Sequence, residues 1–290
     1  MKRLVILLGV AGVSLSAVFT RWSTAPALVL ALYRMALSAA FMAVPALVRR
    51  RELAALTRRE ILLCLVSGLF LGLHFTAYFA ALERTSIAAA VVLVDTEVLF
   101  VALASATVLG QRLTGKAWAA VALAFGGSAV VALGDSAGGG ALLGDLIALG
   151  GAAAMAVYTM IGALCRRRMS TEGYTFLVYL AAAASLLAAA LVSGTPLTGY
   201  GSVNGLTALG MAVCCTLLGH NVFSWGLKYL PAAFIATAKL LEPVLASVWG
   251  LLLFSERPGW LTILGAAAVV GGIALYTRAS AEPEAERKTL

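Results

Sequence analysis

Five ionisable side chains stand inside otherwise apolar stretches of the chain: Arg34, Asp95, Glu97, Lys239 and Glu242. A charge within a membrane span costs at least about 2.5–3.5 kcal/mol on insertion scales, so each asks for a partner or a task. Lys239 and Glu242 are three residues apart, share a helical face and can pair. Asp95 and Glu97 are two apart, about 200° around a helix, and must serve different neighbours. Pro243 removes the backbone hydrogen bond to the Lys239 carbonyl and kinks its helix, which suits a polar site at mid-depth. Three carboxylates against two cations favour a cationic or zwitterionic ligand over a dianion. A buried carboxylate can also exchange a proton for a cation, so a proton or another ion is a possible coupling partner. Arg34 reads first as an anchor that bonds carbonyls or a carboxylate across helices. His74 and His220 are each lone histidines in apolar surroundings, a setting that more often packs than lines a pathway. Tyr78 and Trp225 follow them at near-helical spacing and read as core, or as an aromatic wall.

The elements that carry these residues follow from composition. Of the 290 residues 62% are hydrophobic and 12% charged, about half the charged share of a soluble domain. The apolar residues come in blocks of roughly 20 without strict two-residue alternation, which favours helices over barrel strands. In hydrocarbon, a helix satisfies its backbone within one segment. Ten blocks stand out, at about 4–20, 27–48, 61–82, 86–109, 117–134, 144–164, 173–193, 206–227, 232–254 and 260–277. The N-terminal block resembles a signal peptide, with Lys2 and Arg3 ahead of an apolar run and Ser14-Leu15-Ser16-Ala17 after it. It reads as an uncleaved first span, because cleavage would remove one helix from the repeat described below. The net charge of +8 sits in loops, which points to anionic lipid headgroups and away from nucleic acid. The four cysteines, Cys64, Cys165, Cys214 and Cys215, lack metal-ligand spacing and read as small hydrophobes.

Sixteen of the 21 lysines and arginines fall on one side of the ten-span arrangement, three on the other and two within spans. That asymmetry places both termini in the cytoplasm. Trp22, Trp118, Tyr229, Trp260 and Tyr276 fall near span ends, as an aromatic belt would.

A shift of 145 residues aligns the halves. Glu97 falls on Glu242, Leu109-Gly110-Gln111-Arg112 on Phe254-Ser255-Glu256-Arg257, and Gly126-Gly127 on Gly271-Gly272, with His74 and His220 within one residue of equivalence. The fold expected is an all-α integral membrane protein of ten helices, as two inverted repeats of five. The repeats span 1–134 and 144–277, joined by a glycine-rich linker at 135–143 and followed by a cytoplasmic tail at 278–290. Inverted repeats place a binding site near the midplane, between the halves, and suit alternating access.

Leu241-Glu242-Pro243-Val244-Leu245-Ala246, then Phe254-Ser255-Glu256-Arg257 and a glycine-rich last span, resembles the EamA repeat of the drug/metabolite transporter superfamily. The first half carries a weaker version, Asp95-Thr96-Glu97-Val98-Leu99, with Val98 in place of the usual proline and Gln111 in place of the usual glutamate. Arg34 and Ala81-Leu82-Glu83-Arg84-Thr85-Ser86 also resemble family features. The resemblance implies a carrier, in most members an exporter, of amino acids, other small metabolites or drugs in the inner cell membrane. Nucleotide-sugar transporters are relatives. That alternative wants several phosphate-holding cations in the spans, and only Arg34 and Lys239 are available. An intramembrane enzyme would need convergent acid–base or metal groups. The sequence shows no P-loop, dinucleotide fingerprint, metal cluster or nucleophile motif, so no cofactor and no enzymatic activity are expected, and transport is secondary or facilitated. Reporter fusions at Leu290 and in the loop near Ser136 should localise to opposite sides of the membrane; the same side for both would refute the five-plus-five arrangement.

Overall fold

A computed structural model describes residues 1–84, 90, 93–108, 110, 113–134, 142–255 and 259–279. The linker expected at 135–143, the tail from 278 and the loop motifs at 109–112 and 255–257 lie largely outside these residues. The described residues form helices and no strands. In chain order these are α1 (Lys2–Ser14, resuming as Ser16–Trp22), α2 (Ala27–Val48), the short α3 (Arg50–Ala54) and α4 (Arg58–Leu82). The first half continues with α5 (Glu97–Thr107) and α6 (Gly115–Gly134). The second half holds α7 (Leu142–Cys165), α8 (Thr171–Val192), α9 (Ser202–Gly226), α10 (Ala232–Lys239), α11 (Glu242–Phe254) and α12 (Trp260–Ala279).

Seven stretches among the described residues are long and apolar enough to cross a membrane: α1, α2, α4, α7, α8, α9 and the run Ala232–Phe254. Their outer faces are apolar, the reverse of a soluble protein. Leu62, Leu65, Leu69 and Leu73 make an exposed leucine stripe along α4. Local signals set the ends. Thr57 and Glu60 form a capping box at the start of α4, and the Ser170 hydroxyl accepts from the Gly173 N–H to begin α8. Trp22, Trp118, Tyr229 and Trp260 are exposed as a belt requires. Tyr276 is not part of it: the side chain is buried in the core against Phe234. Its position one turn from the end of α12 turns it inward.

Extensive helix contacts run between the halves. α6 lies along α12; α4 packs on α7, and its counterpart α9 packs on α1; α4 meets α8, and α9 meets α2. The first helix is thus part of the core, supplying Ile6, Val10 and Val13. Exchanging the halves maps this pattern onto itself. Small residues make it possible, as the motifs Gly68-xxx-Gly72 and Ala268-xxx-Gly272 imply. At α6 and α12 the approach is backbone to backbone. A Cβ on Gly127 would lie 2.7 Å from the Gly265 carbonyl oxygen, and one on Gly272 2.7 Å from the Ala124 nitrogen. These two glycines are equivalent under the 145-residue shift. Gly126, one residue away, faces open space. Gly127→Ala should therefore destabilise the purified protein by about 1–3 kcal/mol of overpacking, seen as a lower melting temperature in detergent, while Gly126→Ala should not. Equal melting temperatures would show that the contact is loose.

Candidate functional site

Two helices that sequence periodicity presents as continuous are broken, at equivalent places. In the second half α10 ends at Lys239 and α11 begins at Glu242, with Leu240 and Leu241 between. In the first half a turn at Thr96 separates residues 93–95 from α5, which begins at Glu97. Thr96 and Leu241 are 145 residues apart, so each repeat restarts its fourth helix on its glutamate. Pro243 at the head of α11 explains one break. The other forms without a proline, because Val98 occupies that position. There the Thr96 hydroxyl donates back to the Leu93 carbonyl at 2.5 Å and the Thr96 N–H bonds the same carbonyl at 3.3 Å, closing a tight turn. Each carboxylate sits at a helix N-terminus, where free N–H groups and the dipole favour negative charge.

The ion pair that forms is not the local one. Lys239 Nζ donates to Glu97 Oε2 at 2.5 Å, joining α10 to α5 across the halves. Both side chains are nearly buried, at 14% and 8% exposed. The expected Lys239–Glu242 pairing assumes one uninterrupted helix; the break after Lys239 removes the shared face. Glu97 Oε1 also accepts from the Thr159 hydroxyl of α7 at 2.9 Å. Asp95 points elsewhere, accepting from the Ser128 hydroxyl of α6 at 2.7 Å. Glu242 makes no hydrogen bond or salt bridge to any described residue, although it lies within electrostatic range of Lys239 and Arg34.

Arg34 is buried on α2. Its Nε donates to the Thr216 hydroxyl at 2.8 Å, and its guanidinium lies 5.2 Å from the Phe75 ring centre. Thr216 stands in the π-helical segment Met211–His220 of α9, a local widening common at functional sites. Phe75 also brings the histidines together. His74 is its neighbour on α4, and the His220 ring lies 6.2 Å from the Phe75 ring. His74 Nδ1 shares a hydrogen bond with the Gly151 carbonyl at 3.1 Å, and Tyr78 stacks parallel to the imidazole. Tyr78 lies within electrostatic range of Glu242 and Asp95.

Trp225 does not join this cluster. It packs 5.0 Å from Tyr229 beside a polar pocket of about 410 Å³ lined by Arg49, Arg168, Lys228 and Glu172 among others, at the basic end of the bundle. The aromatic wall pairing it with Tyr78 is not formed among the described residues: Tyr78 meets His74 and Phe79, and Trp225 meets Tyr229. Arg166, in the turn that follows α7, is buried although it belongs to the basic run Arg166-Arg167-Arg168. It is 2% exposed, and its guanidinium donates to the Ser224 carbonyl, the Met169 carbonyl and the Thr171 hydroxyl. Sequence reasoning missed Thr159, Ser128, Thr216, Tyr158 and Tyr179. Isolated hydroxyls in apolar helices were the available signal. A shallow apolar groove between α6 and α12 is lined by Gly126, Gly127, Gly265 and Ala268 among others and contains none of the charged side chains. Among the described residues no cluster of His, Cys, Asp and Glu could hold a metal.

Breaking the cross-half pair should be costly, since either partner alone leaves a buried charge: about 3–5 kcal/mol for Lys239→Met or Glu97→Gln. The double variant should recover much of the melting temperature. Additive losses in the two single variants would rule out the coupling.

The comparisons with known proteins agree with this architecture. The chain is 28% identical over 234 residues to the pseudopaline exporter CntI of Pseudomonas aeruginosa (strain UCBPP-PA14), covering 77% of this chain and 78% of that protein. It is 24% identical over 210 residues to an uncharacterized transporter of Archaeoglobus fulgidus, covering 71% and 72%. A solved structure, described only as the crystal structure of a protein, superposes with a TM-score of 0.84 at 21% identity over 98% of both chains, which speaks for the fold alone. The model of the EamA-like transporter family matches residues 2–133 and again 142–278, and the chain belongs to that family.

Proposed function

We propose that the protein is a secondary or facilitated exporter of a small polar metabolite, a cation or zwitterion, that works by alternating access in the cell membrane with both termini in the cytoplasm. Ten spans are proposed, as two inverted repeats of five. The seven long apolar stretches are joined in this reading by α6 and α12, each 20 residues or about 30 Å, and by the helix containing α5. The exchange symmetry of the helix contacts supports the inversion. The observation that carries the function is the pair of matched breaks at Glu97 and Glu242. Discontinuous helices facing each other across a repeat interface are how carriers expose polar backbone and charge at mid-depth. A relative that exports a small metabolite supports the direction.

The two glutamates divide the work. Glu97 is committed to Lys239 and Thr159, whereas Glu242 has no protein partner among the described residues and is the group available to a substrate cation or a coupling proton. Glu242→Gln should therefore abolish most export while leaving expression and melting temperature near wild type. Untargeted metabolite profiling of the medium of overexpressing cells, wild type against Glu242→Gln, would read this. A variant that exports the same compounds at the wild-type rate would remove Glu242 from the mechanism.

A further inference from the structure

The polar pocket of about 410 Å³ at the basic end plays no part in the transport reading. Its lining holds four cations, Arg49, Arg166, Arg168 and Lys228, against two carboxylates, Glu52 and Glu172. Both carboxylates are engaged within the protein. Arg49 lies 3.9 Å from Glu52 and 3.5 Å from Glu172, and Glu52 accepts from the Ser170 N–H at 2.7 Å. Arg166, Arg168 and Lys228 form no ion pair with a described carboxylate. Arg166 is the buried member, 2% exposed. Its guanidinium donates only to neutral acceptors, the Ser224 and Met169 carbonyls and the Thr171 hydroxyl, with Glu172 and Glu52 at electrostatic range. A buried cation held by dipoles alone is costly, and an anion placed beside it offsets that cost.

We propose that this pocket binds a phosphate group, and that its occupant is the headgroup of an anionic phospholipid from the surrounding leaflet. Guanidinium groups match phosphate oxygens in a planar fork, and an ammonium adds a point charge. Four cations less two carboxylates leave the lining at +2. That balance favours an anionic headgroup over phosphocholine, whose own cation would meet Arg168 and Lys228. A soluble phosphate ester offers the same group, but the surroundings of the pocket are those of a lipid. Trp225 and Tyr229 line it with ring centres 5.0 Å apart, and these are the residue types that sit at headgroup level. Leu47 and Val48, directly ahead of Arg49 on α2, are exposed apolar side chains along which acyl chains can run. Lys2, from the start of α1, reaches the same rim, with Nζ 4.1 Å from the Tyr229 ring centre. Basic pockets between helices at the cytoplasmic face are where anionic headgroups lodge. Arg49 and Glu52 come from the first half and the other charged groups of the lining from the second. A bound headgroup therefore bridges the halves, and a ligand that binds only the folded state stabilises it.

The test uses the full-length protein in nanodiscs of phosphatidylcholine alone or of phosphatidylcholine mixed with phosphatidylglycerol. The mixed membrane should raise the melting temperature, and native mass spectrometry should find phosphatidylglycerol retained on the protein ahead of phosphatidylcholine. Arg168→Gln with Lys228→Gln removes two exposed cations that pair with no described carboxylate. Stability in phosphatidylcholine should then stay near wild type, while the phosphatidylglycerol shift and the retained lipid are lost. Arg58→Gln with Arg59→Gln removes the same charge from exposed positions outside the lining and should keep both. Glycerol 3-phosphate added to the phosphatidylcholine nanodiscs should leave the melting temperature unchanged. Equal melting temperatures and equal retention in the two membranes would overturn the site. So would equal losses in the two double variants, which would assign the effect to diffuse surface charge. A shift with glycerol 3-phosphate that the Arg168/Lys228 variant abolishes would replace the lipid by a soluble phosphate as the occupant. No arm reads export, so the transport reading stands or falls separately.

Discussion

The architecture depends on one buried electrostatic constraint: the Lys239 ammonium and the Glu97 carboxylate, from opposite halves, must meet. Neither can be left alone in hydrocarbon, and neither has an adequate local substitute. Their 2.5 Å contact fixes the end of α10 against the start of α5. It suits the breaks in both fourth helices, because a lysine at a helix C-terminus and a glutamate at a helix N-terminus are each stabilised by the dipole of their own segment. Helix breaks, ion pair and repeat interface are one arrangement, and the small-residue packing of α6 on α12 holds the flanks of it together.

The repeats are symmetric in backbone but not in charge. The position equivalent to Lys239 in the first half is Val94, and the one equivalent to Asp95 in the second is Leu240. One half supplies the cation and the other a surplus carboxylate. A strictly duplicated chain would place two glutamates at the interface with nothing between them. The single lysine pairs with Glu97 and leaves Glu242 without a bonded partner among the described residues.

Much of this was legible in the sequence. Composition and block length gave helices in a membrane, and the 145-residue shift gave the equivalence of Glu97 and Glu242, both visible because hydrophobicity and glutamate position are local properties. Pro243 announced its helix break. The break at Thr96 was not legible, since nothing in Asp95-Thr96-Glu97-Val98 forbids a continuous helix; tertiary contacts select the turn. The partner of Lys239 was hidden for the same reason. Spacing rules rank neighbours on one helix, and the true partner is 142 residues away in sequence. Arg166 looks like its neighbours Arg167 and Arg168, yet it reaches the Ser224 carbonyl near the end of α9 and the Met169 carbonyl in the loop before α8. Threonine and serine side chains gave no periodic signal, although they supply three of the bonds that orient the charges.

Polar contacts tie the halves at three levels, and their different strengths bear on how a rocking carrier could move. At the basic end, Glu52 accepts from the Ser170 N–H at 2.7 Å and Arg49 lies 3.5 Å from Glu172. At the other end of α2, Asn204 Oδ1 accepts from the Ser23 hydroxyl and from the Thr24 and Ala25 N–H groups, and the Tyr33 hydroxyl donates to the Leu197 carbonyl. The Arg49–Glu172 pair is half-exposed, and an ion pair of that kind is worth about 0–1 kcal/mol because water replaces it. The central pair has no such replacement. The Arg49–Glu172 contact can therefore open to water at little net loss. The Lys239–Glu97 pair is the buried tie between the halves, and Glu242, unbonded among the described residues, lies within electrostatic range of the same lysine.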